Sequence, residues 1–396
     1  MSDSLTLSDL DFLQSDIGQD LLAQLAQADL SDSNQLRLLT QLRQQVDGSQ
    51  AAAALSMARL RQKAISKFGA DAARMFFTPS ALEQASDPLV RRYRTSQIQG
   101  KRVLDICCGM GTDTMAFADA GCTAHGLDID PVRIAIAKHN AEALHSTATF
   151  EVADVTAGIP IGFDTIFFDP ARRDEHGRRL FDVEQYVPPL SLVQSWDASR
   201  IMVKLSPGVD IEQVRGYGGK LTFVSVGGDL KEAILQPDQA QQNDEAVLLT
   251  ESDTVTWLNN TLIPQPDVPL SEPANWLVEP DPAILRAGLV RHLADDLGGF
   301  MLDETIGYLT TTEHPQSLWV RSWAILDWMP FHLKKLRNYL REHNVGKVTV
   351  KKRGSPITPE QLMASLKLKK GDEERTLVLT RLRGEPIVMI CESQPV

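Results

Sequence analysis

The stretch DICCGMGTD, residues 105–113, sets a carboxylate, Asp105, four residues before Gly109, with Gly111 two residues further on. Glycines so spaced let a backbone turn sharply and bring its N–H groups against a ligand. The third glycine of the dinucleotide fingerprint is missing, because Thr114 stands in its place. A carboxylate beside the loop repels a pyrophosphate but accepts hydrogen bonds from an ammonium group, directly or through water. Asp128, in GLDIDP, is placed to accept both hydroxyls of a ribose, and Asp154, in VADV, suits an exocyclic amino group of adenine.

A second constellation follows in FFDPARR, residues 167–173. A carboxylate oxygen and a backbone carbonyl at such a turn can each accept a hydrogen bond from an amino group. That raises the density of the nitrogen lone pair, and an aromatic ring stacked on the acceptor fixes its approach. Asp169 and Pro170 fit this chemistry, whereas Ala171 and Arg172 stand where a second proline and the ring belong. Arg172 and Arg173 can instead pair with a phosphate or stack on a base through the guanidinium plane. Phe76 and Phe77 can supply a stacking ring, as can Phe181 and Tyr186, although core packing is the competing role for each. Attack on a pyrimidine ring by a thiol is disfavoured, since the segment KLSPG at 204–208 offers no cysteine. Cys107 and Cys108 read as small buried fillers, and the eight histidines show no metal-ligand spacing.

The elements that must hold these residues alternate. RVLDI (102–106), AHGLDI (124–129), ATFEV (148–152), TIFF (165–168) and RIMVKL (200–205) read as buried strands, with helices between the early ones. The pattern predicts a parallel sheet covered by helices, completed by LTFVSV (221–226) and AVLLT (246–250) as a hairpin-like antiparallel edge. Residues 1–95 carry apolar positions at helical spacing, with a helix start at Thr78-Pro79 and Phe76 and Phe77 in the loop before it. Prolines at 264, 266, 269 and 273 mark 259–276 as a linker. Residues 277–396 then form a small α/β unit containing a basic helix, the strand KVTVKKR and a capping box at Thr358-Pro359-Glu360-Gln361. The expected division is 1–95, 96–258, 259–276 and 277–396.

The chain has 396 residues, 43% hydrophobic and 23% charged, the balance of a globular protein of two or three domains. It holds no apolar run of about 18 residues, and its N-terminus is acidic rather than signal-like. Four cysteines without a CxxC pair suit a reducing compartment, so the expectation is a cytoplasmic protein with no membrane and no metal. The net charge of −12 is unevenly spread, because residues 331–370 hold eleven Lys or Arg against two Glu. A basic module on an acidic body is a known arrangement for gripping a polyanion.

An ammonium, a ribose and an adenine are the recognisable parts of S-adenosylmethionine. The residues from about 100 to 250 resemble the class I S-adenosylmethionine-dependent methyltransferases in the D-x-x-x-G-x-G loop, the acidic end of strand two and the acidic residue after strand three. DICCGMGTDTMAFADAG through LDIDPVRIAIAKHNAE looks most like trimethylguanosine-synthase-type RNA methyltransferases. VTVKKRGSPITPEQLMASLKLKKG with LVLTRLRGEPIVMICE resembles the THUMP-like domain found behind a methyltransferase domain, spanning about 325–395. KFGADAARMFFTPSALEQAS also fits that family. The resemblance implies a Rossmann-like α/β fold with a seven-strand sheet, an N-terminal helical region and a C-terminal THUMP-like domain. It implies S-adenosyl-L-methionine held by Asp105, Gly109, Gly111, Asp128 and Asp154. Catalysis then falls to Asp169, Pro170 and Arg172, and acceptor binding to Phe76, Phe77, Arg173, Lys351, Lys352 and Arg353. The implied activity is methylation of an RNA base, with an exocyclic amine as one acceptor. The alternatives are a small-molecule or protein methyltransferase, or an RNA-binding protein that keeps the cofactor fold without turnover.

Overall fold

Side chains at the helix starts satisfy the first free N–H groups in the computed structural model, which describes residues 5–174, 176–237, 243–259 and 263–395. Thr6 closes a capping box on α1 (Leu7–Gln14), and Ser15 caps α2 (Asp16–Ala26). After α3 (Gln35–Leu42), Asp47 closes a second capping box on α4 (Gly48–Phe68). Thr78 accepts from Ala81 N–H ahead of α5 (Pro79–Gln84), as the Thr-Pro pair predicts, and Asp87 caps α6 (Pro88–Ser96). The alanines of α4 let neighbouring helices approach closely, and Ala51, Ala54, Met57 and Ala64 are fully buried.

The alternating part follows: β1 (Arg102–Ile106), α7 (Thr112–Asp119), β2 (Thr123–Asp128), α8 (Pro131–Ala143), β3 (Thr149–Val152), β4 (Thr165–Phe168), β5 (Arg200–Leu205) and α9 (Ile211–Arg215). It ends in β6 (Lys220–Val226), β7 (Asp229–Gln236), β8 (Glu245–Leu249) and β9 (Thr254–Leu258). The nine strands run in the order β3-β2-β1-β4-β5-β7-β6-β8-β9. Pairing is parallel from β3 to β5, and β7 lies antiparallel to β5. Every residue of β4 and β5 is buried, which is why these strands read as continuous apolar runs. Gly227 and Gly228, both at positive φ, turn the chain into β7. β7 is not among the strands expected from the sequence, because Asp229, Lys231 and Glu232 open it with polar side chains.

The chain divides into two compact units, one made of 1–221, 231–242 and 249–254, the other of 222–230, 243–248 and 255–396. Residues 1–4 and 260–262, the latter inside the proline-rich stretch, lie outside the described residues. The second unit adds β10 (Trp276–Pro280), α10 (Pro282–Arg286), α11 (Val290–Asp296), β11 (Phe300–Asp303), β12 (Ile306–Thr311) and β13 (Val320–Pro330). After these come α12 (Leu333–Glu342), β14 (Val345–Lys352), α13 (Pro359–Leu366), β15 (Glu373–Leu382) and β16 (Glu385–Cys391). Its sheet has the order β11-β12-β10-β13-β16-β15-β14, with β14 and β15 parallel. Leu336 and Leu340 of α12 and Leu362 and Leu366 of α13 pack on one side of it, against Leu377, Val388 and Ile390. Among the described residues no helix is long and apolar enough to cross a membrane.

Candidate active site

The order of the first sheet reverses at β1, which has β2 on one side and β4 on the other, so the crevice at the carboxyl ends of these strands is the expected ligand position. The loop after β1 is held open by left-handed backbone at Cys107 (φ 63), Gly109 (φ 57) and Gly111 (φ 80). The two glycines serve different ends. A Cβ at Gly111 would lie 2.7 Å from the Phe150 ring, so Gly111 is needed for packing, whereas a Cβ at Gly109 would meet nothing within 4 Å. Gly109 thus borders empty space that a side chain would fill.

Asp105 and Asp128 flank this loop, and Asp154 follows β3. Asp105 is buried on β1 and accepts a 2.5 Å hydrogen bond from Thr114 Oγ1 through Oδ2, while its buried Oδ1 has no hydrogen-bond partner among the described residues. Burial, then the nearby Asp113 charge, pushes its carboxyl well above the ordinary range. Asp128, at the end of β2, accepts Gly109 N–H on Oδ2 and Asp130 N–H on Oδ1, both at 3.0 Å, so it fastens the loop to the strand. Asp154 is exposed and accepts the Thr156 N–H and Oγ1–H on Oδ1 at 2.9 and 2.6 Å.

Asp169 follows β4, its N–H donating to Ile106 O. Its Oδ2 sits 2.6 Å from Lys204 Nζ at the end of β5. Burial would raise this carboxyl, but the Lys204 and Arg172 charges outweigh it and hold the group below the usual carboxylate range. The next residues form a small hairpin, with Ala171 bridged to Val187 and Arg173 bridged antiparallel to Arg179. Behind Asp169 lies Arg94 of α6, fully buried, 3.0 Å from Asp113 and 3.3 Å from Glu232, with its guanidinium over the Phe167 ring.

Residues 98–205 match a family model described as a methyltransferase domain, 320–393 one described as THUMP domain-like, and 6–64 a domain of unknown function. Over 333 residues the chain is 33% identical to an uncharacterised S-adenosylmethionine-dependent methyltransferase of Mycobacterium tuberculosis, covering 82% of this chain and 90% of that one. The chain belongs to the S-adenosylmethionine-dependent methyltransferases. A crystal structure from Porphyromonas gingivalis assigned to a methyltransferase superposes with a TM-score of 0.76 over 95% of this chain and 98% of that one, and at 20% identity it shows the shared fold. A shorter match, 34% over 90 residues, joins 23% of the chain to 22% of a tRNA (uracil(54)-C(5))-methyltransferase of Pyrococcus abyssi.

The residues present suit the methyltransferase cofactor. The unpartnered Oδ1 of Asp105 and the open space beside Gly109 are what a cationic ligand lying along the backbone requires. The acceptor-side expectations fare differently. Phe76 and Phe77 have no exposed surface: Phe76 stacks on His139 at 3.8 Å, and Asn140 of α8 bonds both its N–H and its carbonyl while donating to Met110 O. They are core residues, contrary to the expectation that a base stacks on them. Arg173 sits in the small hairpin and pairs weakly with Glu83 at 3.4 Å.

Strand periodicity splits the basic trio of the C-terminal module. Lys351 is 2.7 Å from Glu279 and over the Trp323 ring, and Arg353 lies over Tyr308, while Lys352 is exposed. The three therefore do not form one solvent-facing patch. The reading of single motifs also missed Lys204, Arg94 and Arg179. For Lys204 the available signal was a lysine inside the apolar run RIMVKL.

Proposed function

We propose that this methyltransferase modifies an amino nitrogen on a base of RNA. The observation that carries this reading is a cavity of about 250 Å³ in the THUMP-like region, lined by Arg337, Arg341, Lys367, Lys369 and Lys370. Five cations around one concave surface, unopposed by any carboxylate in its lining, suit a phosphate backbone. The likeness to a protein named as a tRNA methyltransferase supports the same substrate class.

S-adenosylmethionine, when bound, supplies a methyl group on an electrophilic sulfonium. Asp105, Asp128 and Asp154, with the backbone at Gly109, are assigned to holding it. Asp169, kept ionised, accepts a hydrogen bond from the amine, and the positive charge that develops on nitrogen lies beside this carboxylate. The proton then leaves to solvent. Methylation of a pyrimidine carbon is disfavoured, because that route needs a thiolate. Burial, then the charge of Asp128 at Cys107 and of Asp105 at Cys108, pushes both thiols well above their usual range.

The reading is tested by methyl transfer from labelled cofactor to separated RNA, protein and small-molecule fractions, with RNA binding measured against salt. The label is expected in RNA, and reversal of Arg341, Lys369 and Lys370 to Glu is expected to flatten the salt slope by roughly 0.7 per lost contact. Label in protein or small molecules alone overturns the assignment.

A further inference from the structure

Beside Asp169, at the ends of β4 and β5, lies a cavity of about 480 Å³ whose lining includes six cationic side chains, Lys67, Arg172, Arg173, Arg179, Lys204 and Lys231. Three carboxylates share the lining, and each is engaged elsewhere or weakly. Glu232 pairs with the buried Arg94, Asp87 accepts the Leu89 N–H at the start of α6, and Glu83 reaches Arg173 only at 3.4 Å.

The arrangement of the arginines is costly without a counter-ion. Arg173 and Arg179 are bridged directly opposite one another in the small hairpin, so their side chains leave the same face, and like charges so placed repel. Arg179 donates to Ser206 Oγ at 2.6 Å, a neutral partner. The Arg172 guanidinium has no hydrogen-bond or ion-pair partner among the described residues. Crowding extends to Lys67, whose ammonium is made more acidic by burial and then by the charges of Lys204 and Arg91. Planar guanidinium groups in this arrangement match the oxygens of a phosphate.

We propose that this cavity takes a backbone phosphate of the RNA strand next to the nucleotide being methylated, with Arg172, Arg173 and Arg179 as its clamp. The proposal rests on the RNA reading above and adds to it a second contact, next to the reacting carboxylate. It makes the acceptor a phosphate-bearing nucleotide, because a free base or nucleoside has no phosphate to offer.

The test uses the full chain and a short fluorescein-labelled RNA, with a neutral-backbone morpholino of the same sequence as control. Changing Arg172, Arg173 and Arg179 together to Gln is expected to weaken RNA binding by about tenfold or more and to lower the salt slope by roughly 0.7 per lost contact. S-adenosylmethionine affinity, measured by calorimetry, is expected to stay at the wild-type value, and the morpholino is expected not to bind. If the triple variant loses cofactor affinity, Arg172→Gln alone carries the test, since its side chain gives up no hydrogen bond or ion pair among the described residues. Wild-type RNA affinity and slope in these variants, with weakening still seen on reversal of Arg341, Lys369 and Lys370, overturns the clamp and leaves the RNA reading standing. A wild-type protein with no salt-dependent RNA binding overturns both.

Discussion

Lys204 Nζ stands 2.6 Å from Asp169 Oδ2, tying the end of β5 to the turn that follows β4. With only 6% and 23% of the two side chains exposed, the pair is largely out of water, and neither partner is dispensable to the other. A buried pair that loses one member leaves an uncompensated charge, at a cost of about 3–5 kcal/mol.

Lys204→Met is therefore expected to lower the melting temperature and, with burial opposed only by the more distant arginine charges, to raise the Asp169 carboxyl. A depressed carboxyl gives stability that is present above its unfolded value and lost as pH falls through the folded one. In the variant that loss, and the acid limb of the methyl-transfer rate, should move to higher pH. Asp169→Asn should bind cofactor as the wild type does and transfer no methyl group. A pH–rate profile unmoved in Lys204→Met would remove Asp169 from the reaction.

The two loop glycines are expected to fail differently. Gly111→Ala places a methyl 2.7 Å from Phe150 in a left-handed backbone, so thermal melts should show a large loss of stability. Gly109→Ala bears the backbone strain of about 1–2 kcal/mol but no clash. Its methyl group occupies the space assigned to the cofactor, so calorimetric affinity for S-adenosylmethionine should fall by more than its stability does. Equal behaviour of the two variants would contradict this division of roles.

Asp105 offers a proton signature. Its carboxyl is raised in the folded chain, so its contribution to stability is fully present below the unfolded value and is lost as pH rises through the folded one. Asp105→Asn should keep the Thr114 contact and flatten that decline in ligand-free melts. Binding a cationic ligand favours the ionised form, so cofactor binding should release protons from the wild type. The calorimetric enthalpy should then vary with the ionisation heat of the buffer, and an enthalpy independent of buffer would refute the coupling.

Local signals were legible where chemistry and periodicity agree. The Asp-x-x-x-Gly-x-Gly turn, the strand-end aspartates and the Thr-Pro helix start can each be read within about ten residues. Contacts over long separations were not. Phe76 and Phe77 sit in a loop and look available, yet α4 and α8 bury them, and Asn140, 64 residues away, fixes the segment. Lys351 reads as a free cation until β10 brings Glu279 against it across 72 residues. Arg172 and Arg173 read as phosphate partners within FFDPARR, whereas Arg179 joins them only through the hairpin that sets 173 opposite 179.

Arg94 sets the limits of what can be cut away. It belongs to α6, ahead of the residues that match a methyltransferase domain, yet its guanidinium neutralises Asp113 of α7 and Glu232 of β7 with no surface exposed to water. A fragment starting at residue 98 would keep both carboxylates and lose their shared cation, a deficit of several kcal/mol against a typical total stability of about 5–15 kcal/mol. The helical extension is therefore not detachable packaging. Grafting the 98–205 segment onto another scaffold would need a replacement counter-charge at this spot, and insertions or recombination breakpoints between α6 and β1 are tolerable only if Arg94 still reaches its two acids.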